Sequence, residues 1–334
     1  MVTEPRHPGG GTSELALAGL AAVREASALC ARAQGRLAAG ETLTKGDESP
    51  VTVADFAAQA VVCAALAERL GDFDLVGEED AADLAGDDRA ELRHGVAAIV
   101  TAQLGRVLDD ADVVALIARG RDDGSMVSYW TLDPIDGTKG FLRGDQYAIA
   151  LAHIVAGEVV LGVLGCPNLP NADGSRGAIF LADEVGCVAW YGAAAEPVGV
   201  AVASPASLAE ARLCESVEPG HSNQDQSALI AERLGITADP YRIDSQCKYA
   251  AVGRGDASIY LRLPTRAGYR EKIWDHAAGK LVVERAGGVV TDVDGTSLDF
   301  RHGRTLDANR GIVATDGRFH DDVIAAVAAV LAAG

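Results

Sequence analysis

The spacing of apolar positions changes several times along this 334-residue chain, and the changes mark out its elements. Over 13–39, leucine, alanine and valine recur every three or four residues until Gly40, which predicts a helix with a glycine stop. A polar loop over 45–50 leads to Thr52, with Asp55 three positions on and an apolar run over 56–70 behind it. This near capping box predicts a second helix starting at Thr52, with Asp55 in its first turn. A short strand follows at 72–76, ending on Gly77-Glu78-Glu79-Asp80, then helices at 88–104 and 109–118 and a strand at 129–132. Between 147 and 190 the period falls to two, in runs at 147–156, 158–164, 178–182 and 185–190 separated by turn-forming residues, which is the signature of an antiparallel sheet. After Pro197 strands and helices alternate, at 198–203, 206–212, 222–234, 241–244, 246–252, 256–261, 274–286, 288–291, 311–315 and 319–333. The chain therefore reads as an α+β half over 13–195 and an α/β half over 196–334, preceded by a disordered tail over 1–12.

Composition narrows the possibilities. Hydrophobic residues make up 49% of the chain and aromatics only 5%, which suits a mixed α/β protein with an aliphatic core. No uninterrupted apolar run approaches the roughly 18 residues of a membrane span, and residues 1–13 lack the basic-then-apolar order of a secretory signal. The six cysteines stand singly with no Cys-x-x-Cys pair, which points to reduced thiols in a cytoplasmic protein and away from a zinc site. A net charge of −19 disfavours nucleic-acid polymers as partners. It leaves room for a small anionic substrate where local cations reverse the field, and Lys139, Arg143, Lys248, Arg262 and Lys272 lie in the segments of interest.

The most telling segment is Trp130-Thr-Leu-Asp133-Pro-Ile-Asp136-Gly-Thr138-Lys139. An apolar strand runs directly into two carboxylates separated by Pro134, which stiffens the turn and biases Asp133 toward extended backbone. Carboxylates so close repel unless a cation lies between them, and a hard divalent ion with oxygen ligands fits that role. Gly137 would let backbone come close to a ligand, and the amides after it could face a phosphate. An ordinary Asp-Pro-Gly turn is the plain alternative. Three further acids fit a shared site: Asp55 near a helix start, Glu78 at a strand end, and Asp275 at the start of a small-residue helix, where the helix dipole favours the ionised form.

A rival motif lies at Val289-Val-Thr-Asp292-Val-Asp294-Gly-Thr296, which matches the nucleophile loop of haloacid-dehalogenase-type phosphatases, with Asp292 phosphorylated and Asp294 as acid and base. That fold needs a long α/β stretch afterwards to supply a lysine. The short segment after Thr296 has none, so a strand-end turn is the reading here, and the absence of a glutamate at the twelfth loop position argues against a calcium loop.

Taken in order, T-x-x-D, G-E-E, D-P-I-D-G-T and W-D-H-A-A-G resemble the lithium-sensitive, magnesium-dependent phosphomonoesterase family that includes inositol monophosphatase. The longer runs at 49–59, 136–143, 244–249, 260–264 and 271–279 are similar to its 3′(2′),5′-bisphosphate nucleotidase branch, and the resemblance spans about 12–330. It implies a layered α-β-α-β-α sandwich of the sugar-phosphatase type, with a metal-binding N-terminal half and a C-terminal half that contributes to substrate binding. It further implies two or three Mg²⁺ ions held by Glu78, Asp133, Asp136, Asp275 and the main-chain carbonyl of Ile135, with Asp55 and Thr138 orienting and deprotonating the attacking water. Gly137, Thr138, His221, Ser245, Lys248, Arg262 and Asp275 match substrate-contacting positions. The chain departs from the branch after His221, where Asn223 and Gln224 stand in place of a second histidine.

The implied reaction removes the 3′-phosphate of 3′-phosphoadenosine 5′-phosphate, or of its phosphosulfate form, with the protein as monomer or homodimer and no membrane or polymer partner. An inositol monophosphatase, an inositol polyphosphate 1-phosphatase and a catalytically silent nucleotide sensor are the alternatives. A silent sensor should lack a metal ligand, and here every expected ligand is present.

Overall fold

Two long helices form where the apolar spacing places them, but the second starts earlier than its cap signal suggests. The computed structural model describes residues 13–39, 50–217, 224–264, 266 and 268–333. Helix α1 (Glu14–Ala38) is capped by the Ser13 side chain, which accepts from Ala16 N at 3.1 Å. Helix α2 (Pro50–Leu70) opens on Pro50 rather than Thr52. Proline suits a first turn because its missing N–H has no intrahelical partner there. Thr52 is thus inside the helix and is not its cap, and Asp55 moves from the first turn to the second. By length and composition Val51–Leu70 could cross a membrane, although polar residues interrupt its apolar run, and most of it is buried between α1, α3 (Ala90–Leu104) and α4 (Asp110–Ile117).

The first sheet has the strand order β1-β2-β3-β4-β5-β6-β7, with β1 (Leu75–Gly77), β2 (Ser128–Asp136), β3 (Ala148–Val155), β4 (Glu158–Pro170), β5 (Arg176–Ala182), β6 (Cys187–Tyr191) and β7 (Val198–Gly199). All its pairings are antiparallel except β1 with β2. Strand alternation divides its residues between two cores. Trp130, Leu132, Ile149, Leu151 and Val163 pack toward α1 and α2. Ala148, Ala150 and Ala152 point the other way, toward helix α8 (Ala277–Arg285). The small side chains allow close approach: a Cβ on Gly162 would stand 3.0 Å from the Ala278 carbonyl oxygen.

The second sheet has the order β11-β12-β10-β8-β9, formed by β8 (Leu213–Glu215), β9 (Tyr241–Arg242), β10 (Ile259–Arg262), β11 (Val289–Thr291) and β12 (Ile312–Thr315). Its inner face meets α7 (Cys247–Gly253) and α8. Its outer face packs Leu213, Leu261 and Val313 against Ile230 of α6 (Gln224–Leu234) and Val323 and Val327 of α9 (His320–Ala333). The layers are therefore α1/α2, first sheet, α7/α8, second sheet and α6/α9, the α-β-α-β-α sandwich expected from the sequence.

Two local readings change. The strand expected at 129–132 continues through Pro134 to Asp136, so the two acids stand on a strand end and not on a loop. The run at 206–212 folds only as a 3₁₀ turn, Leu208–Glu210. The tail expected over 1–12 and the loop over 45–49 lie outside the described residues.

Candidate active site

Strand β2 delivers the central acids because its register with β3 shifts between Asp133 and Asp136. A register shift breaks strict side-chain alternation, so Asp133, Ile135 and Asp136 all line one cleft of about 440 Å³. Glu78 joins them from the end of β1, where its N–H donates to the Leu132 carbonyl at 3.1 Å and continues the parallel pairing past Gly77. Buried Gln59 of α2 shapes that exit. Its amide donates to the carbonyls of Glu79 (2.7 Å) and Ile117 (3.1 Å), and its oxygen accepts from Glu79 N (3.2 Å).

The electrostatics of these acids are dominated by mutual crowding. Burial lifts the Asp133 carboxyl well above its usual range, and Glu78, Asp136 and Asp275 add to the shift. Its Oδ1 is buried without a hydrogen-bond partner. A buried carboxylate oxygen left unsatisfied is costly, so this atom is aimed at something the polypeptide does not supply. Burial also raises Glu78 and Asp136, the latter opposed by Lys248 and by the Gln246 N–H, which donates to Asp136 Oδ2 at 2.5 Å. Asp275, in the turn before α8, is pushed up to about 8 by burial, with Arg262 opposing and Asp136 and Glu78 reinforcing.

Past Asp136 the chain turns at Gly137 (φ +89°) into the short helix α5 (Thr138–Arg143), and both Gly137 and Thr138 line the cleft. Asp55 is placed differently. It is buried behind Glu78 and Glu79, and burial followed by those two charges raises its carboxyl. It does not line the cleft, and no hydrogen bond joins it to Thr138 among the described residues, although α2 and α5 pack together.

The second half contributes the opposite wall. Ser245 has φ +65° and its Oγ accepts from Cys247 N at 3.2 Å, which starts α7. Lys248, only 6% exposed, donates to Ser216 Oγ at 3.2 Å and lies over the Tyr260 ring. Burial lowers its pKa while Asp136 holds the charge in place. Arg262 at the end of β10 pairs with Glu271 (2.7 Å) and stands 3.7 Å from Asp275. Arg143 is bound to Asp145 and Asp244 at the rim. His221 lies outside the described residues.

The cleft thus gathers Glu78, Asp133, Ile135, Asp136, Gly137, Thr138, Ser245, Lys248, Arg262 and Asp275. Sequence reasoning missed Gln59, Gln246, Asp244, Ser216 and Glu271. All but Ser216 lie inside the motif runs named from the sequence, but only three-dimensional contact assigns them work. The rival Asp292 is a turn anchor: its Oδ1 accepts from Asp294 N (3.0 Å) and Thr296 N (2.9 Å), and Oδ2 from Asn309 (3.2 Å).

Comparison with known proteins bears on the family and the fold. Residues 12–332 match the model of the inositol monophosphatase family. A 3′(2′),5′-bisphosphate nucleotidase of Emericella nidulans is 41% identical over 339 residues, covering 93% of this chain and 96% of the relative. One of Schizosaccharomyces pombe is 43% identical over 331 residues, covering 93% and 94%. Among solved structures, the inositol monophosphatase of Anabaena superposes with a TM-score of 0.61 at 19% identity, covering 96% of this chain and 98% of that one, and that of Thermotoga maritima with 0.59 at 22%, covering 93% and 96%. The structural likeness speaks for the fold, and the family match spans nearly the whole sequence. The chain belongs to the inositol monophosphatase family.

Proposed function

We propose that this chain is a metal-dependent 3′(2′),5′-bisphosphate nucleotidase that converts 3′-phosphoadenosine 5′-phosphate to AMP and phosphate. The observation that carries the reading is one cleft lined both by four crowded carboxylates, Glu78, Asp133, Asp136 and Asp275, and by the cations Lys248 and Arg262 beside them. The sequence similarity to curated nucleotidases supports the same reading.

The carboxylate cluster fits metal ions. Its unpartnered Asp133 oxygen, hard oxygen donors and mutual repulsion are what a divalent cation relieves. Glu78, Asp133, Asp136, Asp275 and the Ile135 carbonyl would hold two or three Mg²⁺. Such ions, when bound, neutralise phosphoryl oxygens and lower the pKa of water.

The chain's own groups do the rest. Thr138, which lines the cleft, would orient the attacking water through its hydroxyl, and Asp55, buried behind Glu78 and outside the cleft lining, is assigned on sequence similarity alone as the carboxylate that receives the proton relayed through that hydroxyl. Gly137 keeps the wall low, so that a phosphate can approach the start of α5. Lys248 and Arg262 hold the phosphate that is not cleaved, arginine through its planar fork. The phosphosulfate form of the nucleotide presents a comparable second anion. Ser245 stands beside them, and His221 is assigned a nucleotide contact on sequence similarity alone.

The test is phosphate release by purified protein with Mg²⁺, comparing the bisphosphonucleotide with inositol 1-phosphate, inositol 1,4-bisphosphate and fructose 1,6-bisphosphate. Preference for the nucleotide is expected. No release from it would overturn the proposal.

A further inference from the structure

Glu271, Asp275 and His276 bring possible ligand atoms within 4.8 Å of one another, a spacing a metal ion could use. Two of the three are already committed. Glu271 Oε2 accepts from Arg262 Nε at 2.7 Å and lies 3.1 Å from His276 Nε2. The other ring nitrogen, His276 Nδ1, lies 2.8 Å from the Tyr249 hydroxyl. A phenol donating at Nδ1 and a carboxylate accepting at Nε2 assign the neutral imidazole with its proton on Nε2. The result is a one-way string, Tyr249 to His276 to Glu271, with Arg262 donating into the same carboxylate.

The string is anchored. Tyr249, His276 and Glu271 are all buried. Tyr249 packs against Gly279, where an added Cβ would come 2.3 Å from its ring, and meets Tyr260 edge-on at 5.0 Å. Arg262, by contrast, keeps 31% of its side chain exposed, beside Asp275 at 3.7 Å. Its guanidinium therefore has two competing carboxylates. Held by Nε on Glu271, it keeps its terminal nitrogen 3.7 Å from Asp275, beyond direct hydrogen-bond reach, with the Tyr260 and Tyr269 hydroxyls as its neutral neighbours. Released, it would close on Asp275 and cancel both a cation and an acid of the cleft.

We propose that Glu271 is a positioning residue for substrate selectivity: with His276 and Tyr249 behind it, it holds Arg262 off Asp275 and turns the guanidinium toward the uncleaved phosphate. The proposal rests on the nucleotidase reading for its substrate. The experiment compares 3′-phosphoadenosine 5′-phosphate with adenosine 3′-monophosphate, which has the same scissile group and lacks the second phosphate. In Glu271→Gln, KM for the bisphosphate should rise, and preference for it over the monophosphate should fall by about tenfold, the scale of one lost charge-assisted contact. Tyr249→Phe removes only a hydroxyl, tests the same string in a chain that keeps its packing, and should lower the preference by roughly threefold. If both variants lose activity equally on the two substrates, or keep the wild-type preference, the positioning role is overturned. Wild-type protein that leaves the bisphosphate untouched overturns the nucleotidase reading, and this inference with it.

Discussion

Gly137 and Ser245 interlock across the cleft. Both have positive φ, +89° and +65°, and a Cβ added to Gly137 would stand 2.8 Å from the Cβ of Ser245. One follows the last acid of the first sheet and the other precedes α7 of the second half. Beside them, Gln246 N donates to Asp136. The two halves of the cleft meet through this contact.

Replacing Gly137 should therefore cost twice. Gly137→Ala imposes a strained φ on a residue with a Cβ and pushes it into Ser245. We expect a stability loss of about 1–3 kcal/mol in denaturant unfolding, together with a fall in kcat. Wild-type stability and kcat in this variant would show that the contact is loose.

Asp136→Asn should abolish turnover while the fold persists, because it removes charge from a candidate metal ligand. Asp292→Asn should do the opposite. Its new amide would face the Asn309 Nδ2 donor, which also bonds the Ser297 carbonyl, so we expect a loss of about 1–3 kcal/mol with kcat little changed. Paired melting curves and initial rates decide. Loss of turnover only in the Asp292 variant would favour the phosphoaspartate alternative.

Metal removal should have a pH signature. Without a metal ion, and with Arg262 opposing, burial and the neighbouring acids hold the folded Asp275 carboxyl at about 8, above its ordinary 3.8. An acid raised on folding stabilises the fold fully below its unfolded pKa and withdraws that contribution as pH rises toward the folded value. The melting temperature in EDTA should thus fall from pH 5 to pH 8, and the gain from added Mg²⁺ should widen over the same interval. A gain independent of pH would contradict the crowded-acid description.

Arg262→Lys keeps the charge but loses the fork, and a lysine cannot hold Glu271 and a phosphate in one plane. KM for the bisphosphonucleotide should increase roughly tenfold or more, with a smaller effect on adenosine 3′-monophosphate. Equal effects on both substrates would remove Arg262 from the second-phosphate site.

Much of this was legible in sequence because the informative signals are local. Asp133, Pro134 and Asp136 announce themselves by adjacency, and the period-two runs of 147–190 gave the first sheet without tertiary knowledge. The start of α2 was misjudged because Thr52 and Asp55 mimic a capping box, while the proline that opens the helix sits two residues earlier. The end of β2 was cut short at Leu132 because Asp-Pro reads as a turn, whereas the register shift against β3 accommodates it in the strand. Gln59 and Glu271 lie inside sequence motifs that give them no role. Each acts through partners distant in sequence, Ile117 for one and Arg262 for the other, and no spacing rule carries that information.

The layer order also has a consequence for a chain still being made. Glu78, Asp133 and Asp136 leave the ribosome with the first sheet, before Lys248, Arg262 and Asp275 exist. At that moment the nascent sheet displays a bare row of alanines and a knot of unbalanced negative charge. Its inner face is fully covered only when α8 is synthesised, after Lys248 and Arg262. A truncated product ending before α7 would keep most of the acids with Lys139, lack Lys248 and Arg262, and expose a surface meant for the interior.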